Sequence, residues 1–388
     1  MVLENLPKNA NPHRRKLRGA IIGYGFIASK GHWPAYTART HDEEDVEIIA
    51  VADVCEARLQ QAQSDMMYCV RTYNNYRELI DKEHFNLDFV DIATPPAYHA
   101  EVAHYALTAG LHVLCEKPVT ATGQEIEQLL TLAQQKQRVL FPVHNYKHAP
   151  IVKAINEIIA SGKIGTVHAL TLQTFRNTHA VGVREWRPHW RREHTHSAGG
   201  IAMDHGSHSF YLTFAWLGQY PTSVTAKMST LTPGNFDTED NFSSVLTFPN
   251  GVANLYLSWT AGVRKVIYTI QGSTGAITVD DDNMEIAVMK KEKSAGSSNN
   301  NSECNSASGY GGIKWEVERY SIASKWMDSS HTSWFNSLFS QFVKAIQNHD
   351  ILNKEILEAA LCVEIINRAY ESAANNSTEM KINQRNLA

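Results

Sequence analysis

Leu17-Arg18-Gly19-Ala20-Ile21-Ile22-Gly23-Tyr24-Gly25-Phe26-Ile27-Ala28 decides the fold. An apolar run of strand length leads into a GxGxxA turn, the pattern that opens a dinucleotide-binding βαβ unit when a strand precedes it and a helix follows. In that reading Gly23 makes the tight turn, Gly25 lets the backbone approach a pyrophosphate, and Ala28 packs the helix on the strand, so that an anion rests on the helix N-terminus. A second strand, Val46 to Ala52, ends at Asp53, whose carboxylate is placed to accept the adenosine ribose hydroxyls, which favours NAD over NADP. The gap from the glycines exceeds the usual ~20 residues. The lengthening falls in His32-Trp33-Pro34 and the acidic run Asp42 to Asp45.

Outward from this unit, Phe89–Ala93 and His112–Cys115 are β-rich apolar runs, with a helix over Ala100–Ala109 closed by Gly110. The βαβ alternation persists to about Asn145, which predicts a parallel-sheet Rossmann domain over 17–145. The pattern then changes. After a helix at Ile151–Ile159 come the strand-like segments Val167–Phe175, Phe242–Phe248, Val252–Trp259 and Val266–Gln271. Pro249-Asn250-Gly251 reads as a hairpin turn in which Asn and Gly tolerate positive φ. Two amphipathic helices, Thr332–Gln347 and Lys354–Asn375, finish the chain. The expectation for 146–388 is an α+β domain with a large open, mainly antiparallel sheet, making the whole chain α/β with an α+β partner. The polar, low-complexity stretch Ser294–Gly312 reads as a mobile loop within that domain. No solenoid-type repeat is visible.

The 388 residues suit two domains. With 36 basic and 40 acidic residues, the formal charge of −4 offers no basic surface for a nucleic-acid backbone or an anionic membrane. A content of 43% hydrophobic and 20% charged residues is that of a chain able to bury cores. No apolar run approaches the ~20 residues of a bilayer span, and Met1–Lys16 has no apolar core of a secretion signal. Cys55, Cys69, Cys115, Cys304 and Cys362 are scattered without a CxxC pair, which fits a reducing compartment; a cytoplasmic protein is expected.

Two strand-end turns carry candidate chemistry, Thr94-Pro95-Pro96 and Glu116-Lys117-Pro118, because open parallel sheets bind ligands beyond the carboxyl ends of their strands. Lys117 there can donate to a ribose or substrate hydroxyl; the alternative is a solvated surface lysine. In Gly199-Gly200-Ile201-Ala202-Met203-Asp204-His205-Gly206-Ser207-His208, Asp204 and His208 are spaced to share one helical face. An imidazole with an ordinary pKa near ~6.5 can give or take the proton that alcohol–ketone interconversion requires. A purely structural Asp–His pair is the competing reading.

In their order and spacing, Gly23–Ala28, Asp53, Thr94-Pro95-Pro96 with His99, Glu116-Lys117-Pro118 and Gly199-Gly200…Asp204…His208 resemble the Gfo/Idh/MocA family, which includes glucose–fructose oxidoreductase and inositol dehydrogenase. The resemblance runs from about Leu17 to Tyr370-Glu371-Ser372-Ala373. It implies NAD, with NADP possible, as cofactor, and oxidation or reduction at a secondary carbon of a sugar, inositol or sugar acid. It also implies a homodimer or homotetramer formed through the C-terminal sheet. By the same resemblance, Gly23, Gly25, Phe26, Ile27, Asp53, Arg58, Thr94, Pro95, His99, Glu116 and Lys117 bind cofactor. Lys117, Asn145, Lys147, Arg191, Asp204, His205 and His208 bind substrate. Lys117, Asp204 and His208 are catalytic, with His208 the proton-transferring base, and Pro118 matches a proline that is often cis. Two positions depart from the family pattern: Lys147 stands where many members have Arg, losing a bidentate fork, and His205 stands where an apolar residue is common.

The histidines at 179, 189, 194, 196, 205 and 208 raise the question of a metal, but no thiolates cluster with them and hydride transfer needs none, so no metal is expected. Arg176, Arg184, Arg187, Arg191 and Arg192 tilt the reading toward an anionic sugar. Two rivals remain open on the same fold: a glycosidase that recycles NAD, and a non-catalytic sugar sensor.

Overall fold

Strands buried on both faces and helices apolar on one face alternate through the first part of the chain, and they stack as that pattern demands. The structure, a computed structural model, describes residues 15–42, 45–290, 314–323 and 331–384. Strands β1 (Leu17–Ile22), β2 (Val46–Ala52), β3 (Arg71–Tyr73), β4 (Phe89–Ile92), β5 (His112–Cys115) and β6 (Leu140–Pro142) form one sheet in the order β3-β2-β1-β4-β5-β6, all pairs parallel. This is the Rossmann order, with its crevice at the carboxyl ends of the neighbours β1 and β4, where the strand order reverses. Helices α1 (Trp33–Asp42), α2 (Glu56–Asp65), α3 (Tyr76–Glu83), α4 (His99–Thr108) and α5 (Gly123–Lys136) make the crossovers. The long gap before Asp53 holds a π-helical turn, Ala28–His32, whose signature is the bond from Trp33 N–H to the Ala28 carbonyl. Pro34, lacking an N–H, cannot continue the ordinary ladder at this point. The extra residue in the turn delivers the His32 side chain to the interior, where it is fully buried.

The second sheet has nine strands. After α6 (Pro150–Ala160) come β7 (Val167–Phe175), the short α7 (His194–Ser197) and α8 (Ile201–Leu217). Strands β8 (Ser223–Ser229), β9 (Asn241–Phe248), β10 (Gly251–Ser258), β11 (Lys265–Gly272), β12 (Gly275–Asp280), β13 (Asn283–Lys290) and β14 (Lys314–Ser321) follow. Then come α9 (Thr332–Gln347), α10 (Lys354–Ala374) and β15 (Met380–Lys381). The order is β14-β13-β12-β11-β7-β10-β9-β8-β15, antiparallel except for the pair β7–β10. Alternating burial along β9 shows one face on the core and the other outward. The β9–β10 hairpin forms at Pro249-Asn250, but neither Asn250 nor Gly251 takes a positive φ. A side chain at 251 would instead strike the His168 carbonyl, so the glycine serves close approach. Ser294–Gly312 lies outside the described residues.

Helix α10 joins the two sheets. Ile356, Ala359 and Val363, spaced three and four apart, enter the core on one face of the Rossmann sheet, while Cys362, Ile365, Ile366 and Ala369 enter the core under the second sheet. Phe335, Leu338, Phe339 and Phe342 of α9 fill the core on the other Rossmann face. The cleft between the sheets thus has walls fixed by shared packing.

Candidate functional site

Gly23 ends β1 with φ +91°, and a Cβ there would lie 2.9 Å from the Ala93 carbonyl group, so only glycine lets the turn pass β4. A Cβ at Gly25 would meet no protein atom within 4 Å: the space above that backbone is open to a ligand. Beyond it lies a cleft of about 980 Å³, near the top of the ~300–1,000 Å³ range of small-molecule sites. Gly23, Gly25, Phe26, Ile27, Asp53, Arg58, Thr94, Pro95, Glu116 and Lys117 line it from the Rossmann side, and Asn145, Arg191, Asp204, His205 and His208 face them.

Asp53 accepts from Tyr24 N–H at 2.7 Å and Cys55 N–H at 2.8 Å, which aims the carboxylate at the turn; burial raises its pKa above the usual carboxylate value. Arg58 Nε donates to the Tyr24 carbonyl at 2.8 Å and braces the same turn. Thr94 Oγ1 is buried without a protein partner among the described residues. An open glycine turn, a fixed carboxylate and an orphaned hydroxyl along one crevice fit a nicotinamide dinucleotide.

Lys117 and Asp204 meet across the cleft. Nζ of Lys117, carried on a cis Lys117–Pro118 turn, donates to the Asp204 carbonyl at 2.5 Å and to Oδ1 at 3.2 Å. Arg191 Nε and His205 Nδ1 stand 3.4 and 3.1 Å from Asp204 Oδ2. Burial alone would raise the Asp204 pKa, but Lys117 and Arg191 outweigh it and hold the group well below the carboxylate range. His208, one helical turn on, does not bond Asp204. Its Nδ1 lies 2.7 Å from Tyr211 Oη, its ring stacks on Tyr146 at 3.9 Å, and Nε2 has no partner among the described residues. Burial, reinforced by Lys117, pushes its pKa well below 6.5, so the ring is neutral at physiological pH.

Two expected contacts fall elsewhere. Lys147, expected at the substrate, is held by Glu355, at 2.7 Å, and Glu358 of α10, and it does not line the cleft. Those two carboxylates compensate a charge that burial would otherwise disfavour. His99, expected at the cofactor, lies behind the wall: its two ring nitrogens face the carbonyls of Pro118 and Thr94, both at 2.7 Å. It braces the two turns that line the cleft. Sequence reading passed over Tyr146, Tyr211, Arg264 and His331. Tyr211 was the findable one, since position i+3 from His208 shares its helical face. Among the described residues no group of three or more His, Cys, Asp or Glu could hold a metal.

Helix α8 begins against Glu239. The carboxylate accepts from Gly200 N–H and Ala202 N–H, both at 2.9 Å, and from Tyr370 Oη at 2.9 Å. This cap aims the turn that carries Asp204.

A Rossmann sheet facing a second sheet across a cleft with a lysine–aspartate bridge defines an oxidoreductase that uses a nicotinamide dinucleotide. The chain belongs to the GFO/IDH/MocA family: residues 17–144 match its NAD-binding Rossmann fold and residues 152–278 its C-terminal domain. An uncharacterized oxidoreductase of Synechocystis sp. is 30% identical over 223 residues, 57% of each chain. D-glucoside 3-dehydrogenase of Escherichia coli is 29% identical over 269 residues, 64% of this chain and 72% of the relative. Among solved structures, levoglucosan dehydrogenase in complex with NADH and levoglucosan superposes with a TM-score of 0.76 at 20% identity, covering 95% of this chain and all of that one.

Proposed function

We propose that the protein oxidises a secondary alcohol of a sugar or related polyol with NAD, or reduces the corresponding ketone. The observation that carries this reading is the contact of Lys117 Nζ with Asp204, 3.2 Å apart, in the cleft that the glycine turn opens. Gly23, Gly25, Asp53 and Thr94 would hold the dinucleotide, and its nicotinamide supplies the two-electron acceptor for the carbinol hydride. Lys117 donates to the substrate oxygen and stabilises negative charge developing there. Asp204, fixed by three basic side chains, accepts from a neighbouring hydroxyl and orients the ring. In the neutral tautomer that carries its proton on Nδ1, facing Tyr211 Oη, His208 takes the hydroxyl proton at Nε2. In the reverse direction it returns that proton. Asn145 and Arg191 complete the substrate wall.

Asp53, at the end of β2 and fixed beside the glycine turn, would repel a 2′-phosphate bound there, which supports NAD over NADP. A thermal-shift screen with each cofactor, followed by NADH formation on levoglucosan, methyl glucosides, D-xylose, myo-inositol and hexuronates, tests the assignment. Ligands that bind the folded state raise Tm by mass action. Selective stabilisation by NAD and net NADH formation on one sugar are expected. Turnover of a glycoside without net NADH would replace the reading with an NAD-recycling hydrolase, and binding without turnover would replace it with a sensor.

A further inference from the structure

Behind the cleft a buried histidine links the cofactor helix to Lys117. His32 is 0% exposed; its Nδ1 is 2.8 Å from Asp91 Oδ2 of β4, and its Nε2 is 3.1 Å from Glu116 Oε1. Ionised carboxylates only accept, so a ring that serves both must carry a proton on each nitrogen. The remaining contacts keep the ring there. Tyr36 Oη of α1 donates to the same Asp91 oxygen at 3.0 Å, and Phe335 and Phe339 of α9 cover the imidazole with ring centroids at 4.6 and 5.8 Å. The charged groups acting on it are Asp91 and Glu116; Tyr36 and, through it, Arg39 bear on Asp91, Lys117 follows Glu116 in the chain, and from α9 Phe335 and Phe339 lie against the ring. Glu116 Oε2 in turn accepts the Lys117 N–H at 3.1 Å, and Lys117 Nζ reaches Asp204.

We propose that His32, as an imidazolium clamped between Asp91 and Glu116, is a positioning residue that sets the Lys117 backbone and couples it to the glycine turn that receives the cofactor. Its place in the chain makes the coupling direct: the π-helical turn that buries His32 begins at Ala28, the last residue of the GxGxxA motif. Burial alone would lower the His32 pKa, but the two carboxylates reverse that and lift it to about 10. A charged ring in this place offsets the buried Asp91 carboxylate, whose Oδ1 has no partner among the described residues, and shares Glu116 with Lys117. The inference rests on Lys117 acting on cofactor and substrate.

The test compares His32→Gln and Lys117→Arg, singly and together, in the full-length protein. Ring ¹⁵N signals of His32, identified by their loss in His32→Gln, show whether both nitrogens stay protonated up to about pH 9, as a ring with its pKa near 10 requires; a ring that is neutral at pH 8 overturns the proposal. Without substrate, the ¹⁵Nζ signal of Lys117, identified by its loss in Lys117→Arg, moves in His32→Gln; an unmoved signal also overturns it. With NAD and methyl β-D-glucoside as probe, His32→Gln lowers kcat by about 10²-fold, the cost of an ångström-scale misplacement, and raises the Kd for NAD, because the same ring holds the turn that receives it. In the Lys117→Arg background it adds no further loss, because both act through one group. A kcat that falls in Lys117→Arg but not in His32→Gln removes this inference alone, whereas an unchanged kcat in Lys117→Arg removes the functional reading beneath it.

Discussion

His208 shows how burial prepares a base. The side chain loses solvent, sits beside the Lys117 ammonium, and holds its Nδ1 on Tyr211, so the neutral ring presents Nε2 to the cleft. His208→Ala is expected to lower kcat by about 10² to 10⁴-fold while leaving NAD affinity nearly intact; initial rates and calorimetric titration check both. Because the folded pKa lies below 6.5, the acid limb of kcat/KM for alcohol oxidation is expected below pH 6.5, and Tyr211→Phe is expected to move it. A limb above neutrality would show that a different group accepts the proton. Lys117, Asp204 and His208 were legible because each sits in a recognisable motif, but the partners that tune them were not. Lys117, Asp204 and His208 read as one group, and of the other two only Lys117 touches Asp204; Arg191 and His205 complete its surroundings, since a carboxylate turns toward the nearest cations and the helical spacing sets only the face.

At the scale of elements, the start of α8 governs where Asp204 points. Glu239, distant in sequence, supplies the cap that Gly199-Gly200 cannot, since neither glycine has a side chain to accept the free N–H groups. Glu239→Ala leaves these donors unsatisfied and is expected to destabilise the protein by about 1–3 kcal/mol, with a higher KM for the sugar than in the parent. Urea denaturation and steady-state kinetics measure the two effects separately, and an unchanged midpoint would dismiss the cap. Most elements were readable from pattern alone: β1, β2, β5, β7 and α9 run over the expected residues because apolar periodicity, glycine and proline mark their ends. The π-helical turn was not. It depends on whether Asp91 and Glu116 wait in the core to receive an imidazole, and neither is near His32 in sequence.

Over the whole molecule, stability answers to two opposed sets of histidines. Burial, helped by Arg138 and Lys153, depresses His112 and His148 to about 4. Between about pH 4 and 6.5 the unfolded chain therefore binds more protons, and their contribution is lost as pH falls through that window. His32 behaves in the reverse sense: with its folded pKa near 10, its contribution is complete below pH 6.5 and is lost as pH rises toward 10. A Tm maximum near neutrality, declining on both sides in thermal melts, is expected; His32→Gln should flatten the alkaline side. The outward face of the second sheet leaves Val245, Tyr256, Trp315 and Val317 more than a third exposed. Association through this face into a homodimer or homotetramer is expected, and light scattering on Trp315→Glu, reading a smaller particle than the parent, checks it. Among the described residues no helix is long and apolar enough to cross a membrane.

The order of apolar runs, glycine turns and strand-end motifs determined the class of fold, the dinucleotide crevice and the three side chains proposed for chemistry, because these depend on local periodicity and on residues close in the chain. Only the tertiary structure decided that α9 and α10 return to complete the Rossmann cores, that Lys147 is held by α10 instead of facing the cleft, and that His32 sits charged between two carboxylates. Each of those outcomes is set by which groups from distant segments share one desolvated space, where an unpaired charge is too costly to persist.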